Sequence, residues 1–449
     1  MSTDTVRAGA ADEAAERRRE QRGWYFYDWA CSVYSTSVLT VFLGPYLTAV
    51  AKHAADADGF VHPLGVPVRA GSFFAYAVSA SVILSIVVMP MAGAAADRTG
   101  RKKPLLAAAA YLGAAATTGM FFLDGDRYLL GGLLLIVANA SLAVSMVLYN
   151  SYLPQIAPPE ERDAVSSRGW AFGYAAGSVV LVANLVPFTA HDSFGVSEST
   201  AVRICLASAG VWWGAFTLVP LKRLRDRHTP SAGRASAHGW RQLAATVRDM
   251  RRQPLTLSFL LAYLIYNDGI QTVISQASVY GSEELGLSQS TLITAVLLVQ
   301  VLAVGGALGM GRLARTYGAK RTILGSLVAW TLTLAAGYFL PAGAPVWFFV
   351  LAAGIGLVLG GSQALSRSLF SHLVPSGKEA EYFSAYEMSD RGMSWLGPLL
   401  FGLTYQLTGS YRDAIISLVV FFVIGFVLLA RVQVRQAIRD AGNPVPEMV

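Results

Sequence analysis

The sequence predicts an all-α integral membrane protein, with twelve transmembrane helices in two pseudo-symmetric six-helix bundles. Three observations carry this expectation. Hydrophobic residues make up 54% of the 449-residue chain and charged residues only 14%, against about 25% charged in a soluble domain. The apolar residues gather into twelve runs, each close to the ~20 residues that cross ~30 Å of hydrocarbon as a helix. With a cytoplasmic N-terminus, the inner segments hold 30 of the 35 Lys and Arg; the outer ones hold only Lys52, Arg69, Arg127, Arg203 and Arg412. This positive-inside bias puts both termini in the cytoplasm of a cell (plasma) membrane protein. Backbone in lipid must satisfy its own hydrogen bonds, so long apolar runs without alternation are helices rather than barrel strands.

The runs cover about 24–50, 70–95, 104–123, 128–153, 168–190, 200–220, 255–279, 290–311, 321–340, 345–369, 382–407 and 412–431. Residues 1–22 are a polar cytoplasmic tail. Helix 1 opens with Trp24-Tyr25-Phe26-Tyr27, an aromatic belt at the interface. Helices 2 and 3 flank the short basic link Gly93–Lys103. Helix 5 carries Gly169, Gly173 and Gly177 four apart, a spacing suited to close helix packing. Residues 23–220 form the first bundle. The central loop, 221–254, is cytoplasmic and carries nine Lys and Arg; its end, Trp240 to Gln253, suits an amphipathic surface helix. Residues 255–431 form the second bundle, and 432–449 a cytoplasmic tail.

The net charge of +7 is therefore a matter of topology, not of nucleic-acid binding. Cys31 and Cys205 both lie in spans, so neither a disulfide framework nor a cysteine metal site is expected. The six His fall in loops or at span ends, and no phosphate-cradling ATPase loop is present. No metal and no cofactor are expected.

The two halves echo each other. Gly93, Asp97, Gly100, Arg101, Lys102 and Lys103 correspond to Gly311, Arg315, Gly318, Ala319, Lys320 and Arg321 at an offset of 218. Ser167-Arg168-Gly169 corresponds to Asp390-Arg391-Gly392, and Ala157-Pro158 to Val374-Pro375, at offsets of 223 and 217. Parallel repeats of this kind are a transporter architecture, with the solute site at mid-membrane between the repeats.

At the Gly93–Lys103 link the chain resembles the major facilitator superfamily. Its pattern Gly-x-x-x-Asp-Arg/Lys-x-Gly-Arg-Lys/Arg-Lys/Arg is matched at every specified position. A narrower resemblance is to the vacuole-effluxer-like branch, the autophagy-related amino-acid exporters and their bacterial relatives. It rests on Tyr27-Asp28-Trp29-Ala30-Cys31-Ser32, where relatives usually have Asn in place of Cys31. It rests also on Leu153-Pro154, Glu161-Arg162, Ser167-Arg168-Gly169-Trp170-Ala171, and Tyr266 with Asp268-Gly269. The resemblance implies export of amino acids or similar solutes.

The link supplies the first gating candidates: Gly93, Asp97, Arg98, Gly100 and Arg101. Its glycines permit a tight turn, and Asp97 can face a neighbouring helix N-terminus or a basic side chain such as Arg168. A contact made in one state and broken in the other biases a two-state equilibrium. Because Asp97 is answered by Arg315 in the repeat, the first link is expected to hold the stronger state-dependent contact. At the inner ends of helices 10 and 11, Arg367, Glu387, Asp390 and Arg391 form an expected inner-gate network, with Glu387 and Arg391 four apart on one face.

Acids within spans cost ~2.5–3.5 kcal/mol at a helix centre, so they ask for a reason. Asp268 lies about 20 Å along helix 7 from Pro254, at mid-membrane, the setting in which a carboxylic acid carries a proton. Asp28 lies six residues past Arg22 and admits two readings, a functional acid or one snorkelling into the interface. Tyr34, Asn150, Asn267, Gln271, Gln300 and Gln363 complete a candidate polar cavity. Asn267, Asp268 and Gln271 turn one face of helix 7 polar.

The expected function is thus a secondary transporter of a small polar solute, proton-coupled, working as a monomer by rocking of two bundles in the lipid bilayer. Two other classes stay open at this stage. A lipid-acting membrane enzyme would rest on Glu387 and Asp390. A receptor or scaffold on a transporter fold would use the 221–254 loop.

Overall fold

In a computed structural model, described over residues 3–227, 248–392 and 396–448, the chain is almost wholly helical. The side chains at 3–11, 289–290, 391–392 and 406 lie outside this description. Helix α1 runs from Thr3–Val33 through Tyr34–Phe42 to Leu43–His53. Its middle stretch widens into a π-helix. Within it Thr40 Oγ1 donates to the Ser35 carbonyl five residues back. A two-stranded hairpin follows, with β1 (Phe60–Val61) antiparallel to β2 (Val68–Arg69).

The remaining helices are α2 Phe73–Thr99, α3 Lys102–Gly119, α4 Tyr128–Asn150 with a short continuation Leu153–Ile156, α5 Arg162–Thr189 and α6 Glu198–Arg223. After residues 228–247, which lie outside the description, come α7 Pro254–Val279, α8 Gln289–Tyr317, α9 Ala319–Tyr338 and α10 Pro345–His372. Helix α11 is seen as Glu379–Gly392 and Leu396–Thr408, α12 as Tyr411–Ser417 and Val419–Arg431, and α13 is Val434–Asp440. Prolines open α7 and α10 at the first turn, where the missing N–H has no intrahelical partner to lose. Ser197 and Ser288 cap α6 and α8 by accepting from the backbone N–H three residues on.

Among the described residues ten helices are long and apolar enough to cross a membrane. The two further spans the sequence predicts are α9, diluted by Ser, Thr and Gly, and α11, of which residues 393–395 are not described. Large apolar side chains such as Ile83, Leu112, Val301 and Leu332 are exposed in mid-helix. In water they would form a sticky patch; in a bilayer they are solvated.

Contact density separates two compact units, one bounded by Met1–Tyr149 and Ala175–Gly239, the other by Asn150–Tyr174 and Trp240–Val449, each taken over its described residues. In the first, α3 meets α6 where a Cβ on Gly113 would stand 2.3 Å from the Trp213 ring. In the second, α8 and α10 nearly touch. A Cβ on Gly306 would lie 2.2 Å from the Leu357 carbonyl oxygen, and one on Gly360 2.3 Å from that of Ala303. Small residues allow such approach, which dispersion rewards in lipid.

Candidate functional site

A buried polar cluster lies in the second unit. It is built from the α4 end, the α5 start, α10 and α11. Arg367 is 1% exposed, and a guanidinium removed from water needs acceptors for its five N–H groups. Its Nε donates to Ser166 Oγ at 2.9 Å, Nη2 to the Ser166 carbonyl at 2.9 Å, and Nη1 to Asn150 Oδ1 at 3.3 Å. The guanidinium carbon also stands 5.4 Å from the Trp170 ring centroid. Asn150 then donates through Nδ2 to Glu387 Oε1 at 2.7 Å, so one amide bridges the cation of α10 and the acid of α11. Ser166 Oγ donates in turn to the Ala364 carbonyl at 2.7 Å, and Tyr174 to Gln363 Oε1 at 2.9 Å.

Arg162 adds a second buried staple beside this cluster. It donates to the Ala157 and Pro154 carbonyls at the end of α4 and to the Ser371 carbonyl at the end of α10. Helix C-termini leave carbonyls unsatisfied, and a cation there answers both the hydrogen bonds and the dipole.

Helix α7 meets α11 through a different acid. Asp390 Oδ1 accepts from Tyr263 at 3.0 Å and from Asn267 Nδ2 at 2.6 Å. Tyr266 shares a hydrogen bond of 2.6 Å with Ser366 on α10. Asp268, one residue from Asn267, points elsewhere. It is 2% exposed, and among the described residues neither carboxylate oxygen has a hydrogen-bonding side chain. It backs onto Gly397 of α11, where a Cβ would lie 3.2 Å from the Asp268 carbonyl oxygen. Gln271 and Gln300 are half-buried on α7 and α8.

In the first unit, Asp28 is 4% exposed and its Oδ2 accepts from the Tyr149 hydroxyl at 2.6 Å. The snorkelling reading of Asp28 is corrected by this geometry: the side chain turns inward against α4, toward an aromatic wall of Trp24, Tyr27 and Tyr149. Tyr34 is buried against Trp213 with ring centroids 5.7 Å apart. In the Gly93–Lys103 link, Gly93 is buried and Gly100 ends α2 in the left-handed region at φ 64°. Asp97 is buried 3.5 Å from Lys102 Nζ, at the opening of α3. Arg98 and Arg101 are exposed.

The structure thus brings together Asn150, Arg367 and Glu387, and separately Asn267 and Asp390. Asp390 accepts from Tyr263 and Asn267 of α7. Arg168 is exposed, and the Arg391 side chain lies outside the described residues. Sequence reasoning missed Ser166, Trp170, Tyr174 and Arg162 as functional candidates. The available signal was Arg367 itself, since an arginine in an apolar helix demands acceptors nearby. Among the described residues no group of three His, Cys, Asp or Glu side chains is placed to hold a metal ion.

The family described as "Vacuole effluxer Atg22 like" matches the chain over residues 16–442. The uncharacterized MFS-type transporter YxiO of Bacillus subtilis is 29% identical, over 92% of this chain and 94% of its own length. Autophagy-related protein 22-1 of Aspergillus niger is 25% identical, over 96% of this chain and 91% of its own. Among solved structures, the major facilitator transporter FucP in the outward conformation is similar with a TM-score of 0.67 at 13% identity, covering 92% of this chain and 98% of that one. A bacterial homologue of the iron transporter ferroportin, in an outward-facing state, gives 0.67 at 15%, covering 93% and 98%. At these identities the structural likeness is one of fold, and the fold is the major facilitator architecture.

Proposed function

The chain belongs to the Atg22-like vacuole effluxer family of major facilitator transporters, and from that premise we propose that it exports a small polar solute, an amino acid or a similar molecule, by proton-coupled alternating access. Membership of a transporter family decides against a lipid-acting enzyme. The reading has two six-helix bundles, residues 23–220 and 255–431, rocking in a cell membrane as a monomer with both termini cytoplasmic.

Asp268 carries the proposal. An acid buried mid-helix with no hydrogen-bonding side chain on either oxygen pays a desolvation penalty that ion pairing does not relieve. An acid so placed is suited to exchanging a proton when water or solute reaches it, which is the behaviour a proton carrier needs. The Asn150–Glu387–Arg367 cluster takes the role of an inner latch, made in one state and broken in the other. Every partner in it is desolvated, so it holds firmly once formed and must be released as a unit.

The test uses purified protein in proteoliposomes, a labelled amino-acid mixture and an imposed pH gradient. Asp268→Asn is expected to lower gradient-driven accumulation by about tenfold, equal to ~1.4 kcal/mol, while solute exchange without a gradient persists. Full gradient-driven accumulation by Asp268→Asn would remove Asp268 from the coupling mechanism.

A further inference from the structure

In the first unit, helix α6 carries an open groove of about 460 Å³. It follows the helix from Ile204 to Phe216, about 18 Å at ~1.5 Å per residue. That length slightly exceeds one leaflet's half of a ~30 Å hydrocarbon core. Ala207, Ser208 and Ala215 are small enough to leave the hollow, and Phe121, just past α3, lines it with Trp212 and Phe216. The polar side-chain atoms of the lining are spent inside the protein. Ser208 Oγ donates to Asn184 Oδ1 and the Cys205 carbonyl, and Trp212 Nε1 donates to the Trp29 carbonyl at 3.0 Å. Trp212 also packs on Phe216 and Trp29, which holds the groove in shape without an occupant. An occupant is therefore offered dispersion contact and no side-chain hydrogen bond.

The chemistry changes at the polar end of this groove. Arg203 stands one helical turn before Ala207, on the same face of α6. Its Nη2 donates to Thr200 Oγ1 at 3.0 Å, and its Nη1 lies 3.3 Å from Asp124 Oδ2. Its Nε has no acceptor among the described residues, although a guanidinium carries five N–H donors. Asp124 is 63% exposed, so water competes for its carboxylate and the pair is a weak one. The guanidinium carbon is 5.8 Å from the centroid of the Phe121 ring, which also lines the groove. A cation with a donor to spare thus heads an apolar trough. Where helices cross a membrane, lipid covers such a surface, and a phosphate ester matches the arginine fork bidentately.

We propose that this groove binds a single phospholipid, with one acyl chain laid along α6 from Ile204 to Phe216 and the phosphate at Arg203. The groove and the cation are complementary to two parts of one molecule, which sets the site apart from general lipid contact. The site lies wholly within the first unit, and it depends on neither the solute nor the proton carrier proposed above.

The experiment uses the full chain, purified in detergent, depleted of lipid and titrated with palmitoyl-oleoyl phosphatidylglycerol under native mass spectrometry. The readout is the affinity of the first lipid bound. Arg203→Gln is expected to weaken it about tenfold, the scale of one hydrogen bond to a charged group. Ala215→Trp fills the groove from an exposed position and should weaken it as much. The diacylglycerol with the same two chains should bind the parent protein no better than phosphatidylglycerol binds Arg203→Gln. Millimolar inorganic phosphate should leave the lipid in place; displacement would make Arg203 a site for free anions and overturn the proposal. Parent affinity in both variants would overturn it also. Loss in Arg203→Gln alone would mean a headgroup contact without the groove, and loss in Ala215→Trp alone a hollow without the phosphate; either result sinks the proposal. A lower thermal midpoint of lipid-free Arg203→Gln with unchanged lipid affinity would assign Arg203 to bracing the turn at Asp124.

Discussion

The links Gly93–Lys103 and Gly311–Arg321 share one sequence pattern and put it to different uses. In the first, Asp97 and Lys102 are both buried and 3.5 Å apart, and Asp226 Oδ1 accepts from the Lys103 backbone N–H at the start of α3. In the second, the place of the acid is held by an exposed arginine, Arg315. The lysine that corresponds to Lys102, Lys320, donates instead to the Ala430 and Val432 carbonyls at the end of α12, at 2.8 and 2.9 Å. A change from acid to base at one position thus turns a buried ion pair into a helix-end cap. Gly311 meanwhile holds α8 against α5, where a Cβ would stand 2.5 Å from Ser167 Oγ.

The difference is one of energetic character. A buried pair is strongly felt only when one partner is lost, because the other is left as an unanswered charge, at a cost of ~3–5 kcal/mol. A cation over a helix C-terminus contributes ~0.3–1 kcal/mol and loses it gracefully. The first link is therefore suited to a contact that is made or broken as a whole, and the second to a fixed brace.

The largest effect expected from this contrast is at Asp97. Asp97→Asn should lower stability by about 3 kcal/mol, read as the thermal unfolding midpoint in detergent, and slow transport without abolishing solute binding. Adding Lys102→Met should return most of the lost stability, since the stranded charge is then gone. Loss of solute binding in Asp97→Asn would mean the residue is not part of a gate. A smaller effect is expected in the second link. Lys320→Met should cost about 1 kcal/mol by the same measurement, and a loss as large as that at Asp97 would erase the distinction between pair and brace.

The smallest effect belongs to an exposed ion pair that lies in neither link. His62 Nε2 and Asp56 Oδ2 are 2.9 Å apart beside the β1–β2 hairpin. The His62 hydrogen bond, followed by the Phe60 backbone N–H, holds the Asp56 carboxylate below its usual range. A depressed carboxylate stabilises above its ordinary value and is lost as pH falls through the folded one. Hairpin amide exchange should accordingly quicken only below about pH 4. Any accompanying change in the Gly93–Lys103 link would show that the pH response is not local.

Much of this molecule was legible in its sequence. Twelve apolar runs, the lysine and arginine bias, and the repeated link led to the major facilitator fold. Arg367, Glu387, Asn150 and Asp268 stood out because a polar group in lipid must be explained. Their partners did not stand out. By residue type and place in the chain Asn150 reads as a cavity residue and Glu387 as a gate residue, and the two share a hydrogen bond across 237 positions. Asp390 stands near Glu387 in the chain and accepts from Asn267 of α7.

The division has a physical reason. Hydrophobicity and charge act residue by residue against the solvent, so the order of residues alone determines which segments cross the bilayer, how they are oriented, and which side chains are too polar to face lipid. A hydrogen bond within the bundle depends on the depth, rotation and crossing of two helices, set by close packing at points such as Gly306 and Gly360. Only the tertiary structure decides whether a buried carboxylate meets a hydroxyl, as Asp28 meets Tyr149, or lacks a side-chain donor, as Asp268 does.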